Sequence, residues 1–225
     1  MLKLQDGHFW QVLSMKFRDL VEIVGDEPVF ETGLLLAGAV DPADVRRQLS
    51  RWCRTGRVQQ LRRGLYALAP PWRREEPHPF LVANRLSPGS FVSGLSALAY
   101  AGAIPEYVAE VTSVTPGRPR IRETPLGRFS FRHLKPPLLA GYRREDLGRG
   151  QRAFVAGPEK ALLDIVHLQP GGDDTVYLRE LRLDFTALRL DVVDALIPRY
   201  STPKLARAAD RIRRLARDAP GYEAL

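Results

Sequence analysis

The sequence predicts an α+β protein with an N-terminal winged helix-turn-helix followed by a mixed α/β C-terminal domain. Residues 15–74 carry the patterns of three helices and then a β-hairpin, which is the element order of a winged helix. Beyond them, helix and strand patterns are mixed. Prolines at positions 70, 71, 77 and 79 mark a linker, so the predicted domains are residues 1–74 and 77–225. Residues 1–13 precede the first helix, either as a flexible tail or because translation starts elsewhere.

The first two predicted helices are defined by apolar spacing and by the residues that end them. The first runs from about Met15 to Val24, because apolar residues recur there at helical intervals. The segment Gly25–Pro28 stops it. The second is a short apolar helix, Glu31–Ala37, which Gly38 ends.

The third helix and the hairpin have the strongest local signals. Asp41 is a predicted N-cap and is followed by proline at the first helical position. The helix continues to Thr55, and Gly56 ends it. Two short strands follow, residues 57–61 and 65–68, joined by a turn in which Gly64 supplies a positive φ.

A helical wheel divides the third helix into an apolar face and a basic face. Val45, Leu49 and Trp52 share the apolar face, and Asp44 is expected beside Arg51 on the polar side. We expect Arg47, Ser50 and Arg51 to contact bases, Arg54 to contact phosphate, and the hairpin tip to follow the DNA backbone or a minor groove. The predicted DNA-binding residues are Arg46, Arg47, Ser50, Arg51, Arg54, Arg57, Arg62 and Arg63.

The positive charge is concentrated in two parts of the chain. The net charge is +8, yet residues 45–74 alone contain nine arginines and no acidic residue. Residues 116–135 contain six basic residues and one acid. Concentrated positive charge is typical of a nucleic-acid-binding surface and differs from the even charge of a generally basic protein. The first block therefore supports binding to double-stranded DNA.

The second half is predicted to alternate between strands and helices. Ser93 is expected to cap a helix of small residues. The predicted elements are a helix at 94–102, a strand at 110–115, a hairpin of 121–124 with 128–133, a strand at 153–156, and helices at 158–168, 186–197 and 203–217.

The sequence offers no constellation that predicts an enzyme. Gly89-Ser90 resembles the start of a nucleotidyltransferase site, but no acid follows before Pro105 to hold a metal. Glu159, Lys160 and Asp164 are interpreted as helix-cap and surface-pair residues. Ser93 and His133 lack a third member for a hydrolytic triad. We therefore expect no catalytic residue.

Composition excludes several other classes. One cysteine rules out an internal disulfide, and four scattered histidines predict neither a metal site nor a cofactor. No apolar run approaches the roughly 20 residues of a membrane span, and the N-terminus has no signal-peptide pattern. The expectation is a cytoplasmic protein without a membrane partner.

Segments spread over about residues 15–168 carry a resemblance to a known family. The segments are 49–68, 77–86, 88–93, 112–115, 124–127, 131–133 and 158–164. In these segments the chain resembles the AbiEi-type antitoxins. The resemblance implies a repressor that binds inverted repeats upstream of its own operon, and a C-terminal domain that counters a co-encoded toxin of the nucleotidyltransferase class. Such systems are described as type IV, in which antitoxin and toxin need not form a stable complex.

The second basic block supplies the predicted antitoxin surface. It could meet an acidic protein surface or an RNA. His133 has a second interpretation, as a strand-end histidine with one satisfied hydrogen bond. The candidate residues are Arg118, Arg120, Arg128, Arg132, His133 and Lys135.

Two other functions remain open at this point. One is a free-standing winged-helix regulator whose C-terminal domain senses a ligand or dimerises. The other is an enzyme that processes nucleic acid through its second domain.

Overall fold

The computed structural model describes residues 15–37, 40–106 and 108–219. The chain falls into two compact units that divide between Pro77 and His78. Each unit combines helices with its own sheet, so the α+β class is confirmed. No helix in the described ranges is long and apolar enough to cross a bilayer. The predicted tail at 1–13 and the predicted stop at Gly38 lie outside the described residues.

The first unit is a winged helix. Its strands form an antiparallel sheet in the order β1-β3-β2. Its elements, in chain order, are α1 (Phe17–Val24), β1 (Phe30–Glu31), α2 (Thr32–Leu35), α3 (Pro42–Arg54), β2 (Val58–Arg62) and β3 (Leu65–Leu68).

The second helix is shorter than predicted, and the strand before it was missed. Phe30 pairs with Tyr66 and Glu31 with Leu65, so Glu31 belongs to a strand and not to the helix predicted from it. α2 then ends at Leu35, two residues before the predicted Ala37. A two-residue strand is too short to show an alternating pattern, and only its partner in β3 defines it.

The predicted ends of the third helix and the predicted hairpin turn are confirmed. The Asp41 carboxylate accepts a hydrogen bond from the Ala43 amide at 2.9 Å, with Pro42 at the first helical position. Gly56, with φ of 69°, follows the helix, and Gly64, with φ of 82°, closes the turn between β2 and β3. Both glycines hold a positive φ that other residues adopt only under strain.

The core of the first unit rests on the apolar face of α3. Val45, Leu49 and Trp52 are each at most 4% exposed and pack in one cluster with Leu20 of α1. Phe17 meets the Trp52 ring edge-on, with centroids 5.5 Å apart. The predicted apolar stripe is therefore buried, which leaves the opposite face of α3 toward solvent.

The second unit contains a mixed sheet in the order β6-β7-β5-β4-β9-β8, with β6 and β8 at its edges. The pairs β5–β7 and β4–β9 are parallel, and the others are antiparallel. Its strands are β4 (Phe91–Val92), β5 (Val111–Thr115), β6 (Arg120–Thr124), β7 (Gly127–His133), β8 (Tyr142–Asp146) and β9 (Arg152–Ala156). Its helices are α4 (Pro79–Leu86), α5 (Gly94–Tyr100), α6 (Pro158–Leu168), α7 (Thr175–Glu180), α8 (Leu190–Tyr200) and α9 (Pro203–Arg217).

Several elements of this unit depart from the predictions. Pro79 does not extend a linker but begins α4, with His78 as the N-cap. β4, β8 and α7 were not predicted. The helix predicted at 186–197 is a 3-10 turn, Phe185–Ala187, followed by α8, which tolerates Pro198 near its end. Ser93 precedes α5 but makes no side-chain cap. Proline is compatible with the first turn of a helix, so its presence alone does not mark a linker.

Candidate nucleic-acid interface

The outer face of α3 presents a row of basic and polar side chains. Arg46, Ser50, Arg51 and Arg54 are exposed, while the apolar residues between them are buried. The helix is amphipathic because its arginines recur every three to four residues on the side away from the core. The structure thus brings four of the predicted DNA-binding residues onto one solvent-facing surface.

Arg47 belongs to the same helix but has a partner. Its Nη2 donates to Asp44 Oδ1 at 2.7 Å, with the Arg47 side chain 72% exposed. Asp44, which the helical wheel places on the polar side near Arg51, is only 7% exposed, so its carboxylate is buried and is not presented to solvent. The Asp44 carboxylate also raises the pKa of Arg47, through this hydrogen bond first and through its charge second.

The basic block has no acid within its own sequence, yet the fold supplies acids from outside it. Arg62 Nη2 lies 3.2 Å from Glu31 Oε1 of β1. Arg73 pairs with Glu76 at 2.5 Å, and Arg74 Nη1 with Asp26 Oδ1 at 3.2 Å. The net positive charge of the surface is therefore smaller than the arginine count implies.

The remaining arginines keep their charge free for a ligand. Within the described ranges, Arg46, Arg51, Arg54 and Arg63 have no carboxylate oxygen at ion-pair distance. Three of them lie on α3, and Arg63 lies at the tip of the β2–β3 hairpin. An unpaired, solvated guanidinium breaks no ion pair when it binds a phosphate. Its planar group can donate two parallel hydrogen bonds to a phosphate or to guanine.

Two of the predicted DNA-binding arginines also serve the fold. The Arg57 guanidinium carbon lies 5.0 Å from the Phe17 ring centroid and 5.9 Å from that of Trp72. The Arg62 side chain is only 26% exposed, and its Nη1 donates to the Arg63 carbonyl at 3.0 Å. Arg62 thus ties the hairpin to β1, and Arg63 is the more accessible residue at the tip.

The second basic block is divided between the two faces of the sheet. Side chains alternate along β7, so Arg128 and Arg132 lie on one face and Phe131 on the other. Arg120 of β6 pairs with Phe131 and lies over its ring at 5.3 Å, on that second face. The candidate antitoxin residues therefore do not all lie on one face of the sheet.

Several members of this block already have partners. Arg128 contacts Glu110 at 2.5 Å and Glu123 at 3.1 Å. Arg120 Nη2 donates to Ser87 Oγ at 2.9 Å. His133 Nδ1 lies 3.1 Å from the Gly117 carbonyl oxygen, as its second interpretation predicted.

The other members of the block are exposed. Arg118 and Lys135 lie in the loops that flank β6 and β7, and Arg132 is exposed on β7 itself. Whether any of these side chains meets a toxin stays a prediction.

The second unit contains a buried polar cluster that the sequence did not reveal. Asp164 of α6, 1% exposed, accepts hydrogen bonds from Ser93 Oγ and Tyr200 OH, each at 2.7 Å, and forms an ion pair with Lys160. The interpretation of Lys160 and Asp164 as a surface pair is wrong. Ser93 and His133, considered together as part of a triad, bond to different partners.

Burial dominates the electrostatics of this cluster. It lowers the pKa of the Lys160 ammonium and raises the pKa of the Asp164 carboxyl, while their mutual contact opposes both shifts. Burial also raises the pKa of Tyr200. The burial of this cluster could have been predicted from the apolar residues that surround Lys160 in the sequence, since a helix that is apolar on all sides is buried.

Comparisons with known proteins inform the fold. No family model and no curated protein matches the chain. Among solved structures, the chain is similar to the crystal structure of the Rv2827c protein from Mycobacterium tuberculosis, with a TM-score of 0.53 and 19% sequence identity. The similarity covers 85% of this chain and 75% of that one. At this identity the likeness concerns the fold alone.

Proposed function

We propose that this chain is a DNA-binding antitoxin of the AbiEi type, which represses its own operon and counters a co-encoded nucleotidyltransferase-like toxin. The observation that carries the DNA-binding part is the row formed by Arg46, Arg51 and Arg54. These side chains are exposed and have no carboxylate of the described residues at ion-pair distance. They lie on α3, the last helix before the β2–β3 hairpin of the winged-helix unit. A recognition helix enters the major groove with such a face.

Within this proposal the arginines divide into base readers and phosphate contacts. The base readers are Arg47, in the N-terminal half of α3 that commonly reaches base edges, and Ser50 and Arg51 one turn further along the helix. Arg54 and Arg63 contact the backbone on either side. Operator DNA with inverted repeats implies two chains, one on each half-site.

The antitoxin part of the proposal is supported by the family resemblance of the motifs in residues 77–164. The likeness to Rv2827c concerns the fold alone and carries no function to this chain. We further propose that the second unit acts by binding and not by catalysis, since no acid follows Gly89-Ser90 before Pro105. Direct contact with the toxin is not required by the proposal.

Salt dependence of DNA binding tests the first half of the proposal. Three unpaired arginines per chain that are not base readers, Arg46, Arg54 and Arg63, would neutralise about three phosphates, giving a log–log slope of about −2.7 and about a 40-fold loss of affinity between about 50 and 200 mM salt. The DNA is the region upstream of the gene that encodes this chain. Binding to it is measured by fluorescence anisotropy and compared with binding to a scrambled duplex. A flat salt response, or equal affinity for both duplexes, contradicts operator binding.

Toxin co-expression tests the second half with the full-length chain. The triple variant Arg46→Ala/Arg51→Ala/Arg54→Ala should lose operator binding but still protect cells when both genes are transcribed from foreign promoters. Protection that disappears together with DNA binding would contradict a separate role for the second unit. Failure of the unaltered chain to protect would contradict the antitoxin proposal itself.

A free-standing regulator with a ligand-sensing second unit is the second candidate. It is favoured by a pocket in that unit that is lined by arginines and by buried polar groups without partners. An adjacent reading frame with a Gly-Ser motif and paired carboxylates supports the antitoxin. Its absence, together with ligand-dependent operator affinity, supports the regulator.

A further inference from the structure

A pocket of about 330 Å³ lies in the second unit where α4 and the segment after it meet β8 and β9. Three arginines line it, Arg85, Arg144 and Arg152, and none of its lining residues is acidic, although Arg152 Nε lies 3.9 Å from the Oδ2 of Asp146, which is not a lining residue. Its volume is within the range of small-molecule sites. The pocket therefore suits an anionic ligand of moderate size.

Two buried polar groups in this pocket lack hydrogen-bond partners among the described residues. Ser90 is 3% exposed, and its hydroxyl has none. Asn84 uses its Oδ1 to accept from the Phe154 amide at 2.6 Å, which leaves Nδ2 without an acceptor. Buried polar groups in folded proteins nearly always have partners, and those that do not require an explanation such as a ligand or a water. Both residues line the same pocket.

The strands add an aromatic ring beside the positive charge. Arg144 of β8 pairs directly with Phe154 of β9, so both side chains lie on one face, and Arg152 precedes Phe154 by two residues on that face. Phe154 is 45% exposed and meets the ring of Tyr142, which is 44% exposed. Exposed aromatic rings among arginines are typical of surfaces that stack bases and hold phosphates.

We propose that this pocket binds a nucleoside 5′-phosphate, either free or as part of a single RNA strand. The Phe154 ring stacks on the base, and the guanidinium groups of Arg144 and Arg152 bind the phosphate. The Ser90 hydroxyl and the Asn84 amide complete the hydrogen bonds of the sugar or base. This site is separate from the winged-helix unit and does not depend on the function proposed above.

Calorimetric titration of the full-length chain with adenosine 5′-monophosphate tests the proposal. Adenosine and inorganic phosphate serve as partial probes. We expect the nucleotide to bind at least about tenfold more tightly than either part, because the pocket combines a ring with cationic groups. Inorganic phosphate that binds as tightly as the nucleotide would overturn the assignment to a nucleotide.

Variants assign the binding to this pocket. Ser90→Ala and Arg144→Ala should each weaken nucleotide binding by about tenfold, whereas Arg199→Ala, which changes an exposed arginine of α8 outside the pocket, should not. Ser90→Ala removes an unsatisfied buried group, so its melting temperature should equal or exceed that of the unaltered chain. Arg144→Ala changes an exposed side chain and therefore tests the site independently of folding.

A short oligoadenylate distinguishes a free nucleotide from a strand. Binding of the oligonucleotide that falls with Ser90→Ala and Arg144→Ala but not with Arg51→Ala assigns a strand to this pocket. If no common ribonucleoside monophosphate and no oligonucleotide binds in a manner that depends on Ser90 or Arg144, the proposal is wrong.

Discussion

Arg47 donates from Nη2 to Oδ1 of Asp44, one turn earlier on the same helix, at 2.7 Å. The carboxylate is buried against the core of the winged helix while the guanidinium remains largely exposed. Asp44 thereby fixes the direction of Arg47 and also offsets part of its charge. The same carboxylate repels any phosphate that approaches this end of α3.

Neutralising Asp44 should therefore strengthen non-specific DNA binding. Asp44→Asn keeps an acceptor for Arg47 but removes the negative charge, so the log–log salt slope should steepen by about 0.9, equivalent to one further phosphate. Asp26→Asn is the matched control, because it makes the same charge change beside Arg74, at a residue that does not belong to α3. Equal effects of the two substitutions would show that only net charge matters. The measurement is anisotropy on a random duplex across a salt series.

Helix and hairpin arginines should differ in specificity. Arg51→Ala should cost about 1–3 kcal/mol on the operator and much less on random DNA, because a base contact is lost. Arg63→Ala should weaken both complexes by similar amounts, because a tip arginine contacts the backbone. Competition binding with the two duplexes gives both values. An equal loss on both DNAs for Arg51→Ala would remove it from the base readers.

The buried pair in α6 should be a large contributor to the stability of the second unit. Lys160→Met leaves the Asp164 carboxylate buried without its cation, which should lower the free energy of unfolding by about 3–5 kcal/mol. Adding Asp164→Asn to that variant should recover part of the loss. Urea denaturation followed by circular dichroism measures both changes.

The loss caused by Lys160→Met should also depend on pH. Burial already raises the pKa of Asp164, and without the ammonium the neutral acid is favoured further. The variant should therefore lose more stability at about pH 8 than at about pH 5, since the stability that a raised carboxyl pKa contributes is full below the unfolded pKa and is lost as the pH rises through the folded pKa. Glu106→Gln is the control, because it breaks an exposed 3.6 Å pair with Arg182 in the same unit and should leave the midpoint unchanged. No difference between the two variants would contradict the buried-pair interpretation.

His78 should make the start of α4 sensitive to acid. Its Nδ1 accepts from the Phe80 amide at 3.1 Å, which requires a neutral ring, and burial lowers the His78 pKa below 6.5. A lowered histidine pKa gives stability that is present above the unfolded pKa and is lost as the pH falls below it through the folded pKa. Near pH 8, His78→Asn should unfold at the same urea concentration as the unaltered chain, since asparagine also caps helices. Below about pH 6 the variant should be the more stable, by up to about 1 kcal/mol. A constant difference at both pH values would exclude His78 as the source.

The sequence by itself determined the elements whose signals are local. Asp41 and Pro42 begin α3, Gly56 follows it, and Gly64 turns the hairpin, because caps and positive φ values depend on residues only a few positions apart. The apolar stripe of α3 was predictable for the same reason, since helical periodicity alone selects the buried face. The α+β class and the winged helix followed from these signals.

The tertiary structure decided which charges remain free and which polar groups are buried. Glu31 contacts Arg62 from another strand of the same sheet, and Tyr200 contacts Asp164 from a later helix. Neither contact can be predicted from a short segment of the sequence. The split of the second basic block between two faces depends on the register of β6 on β7, and the polar groups of Ser90 and Asn84 come together only when α4 meets β9. Counting charges along the sequence cannot predict which charges are paired or which polar groups are buried, because electrostatic and hydrogen-bond partners depend on distance in space.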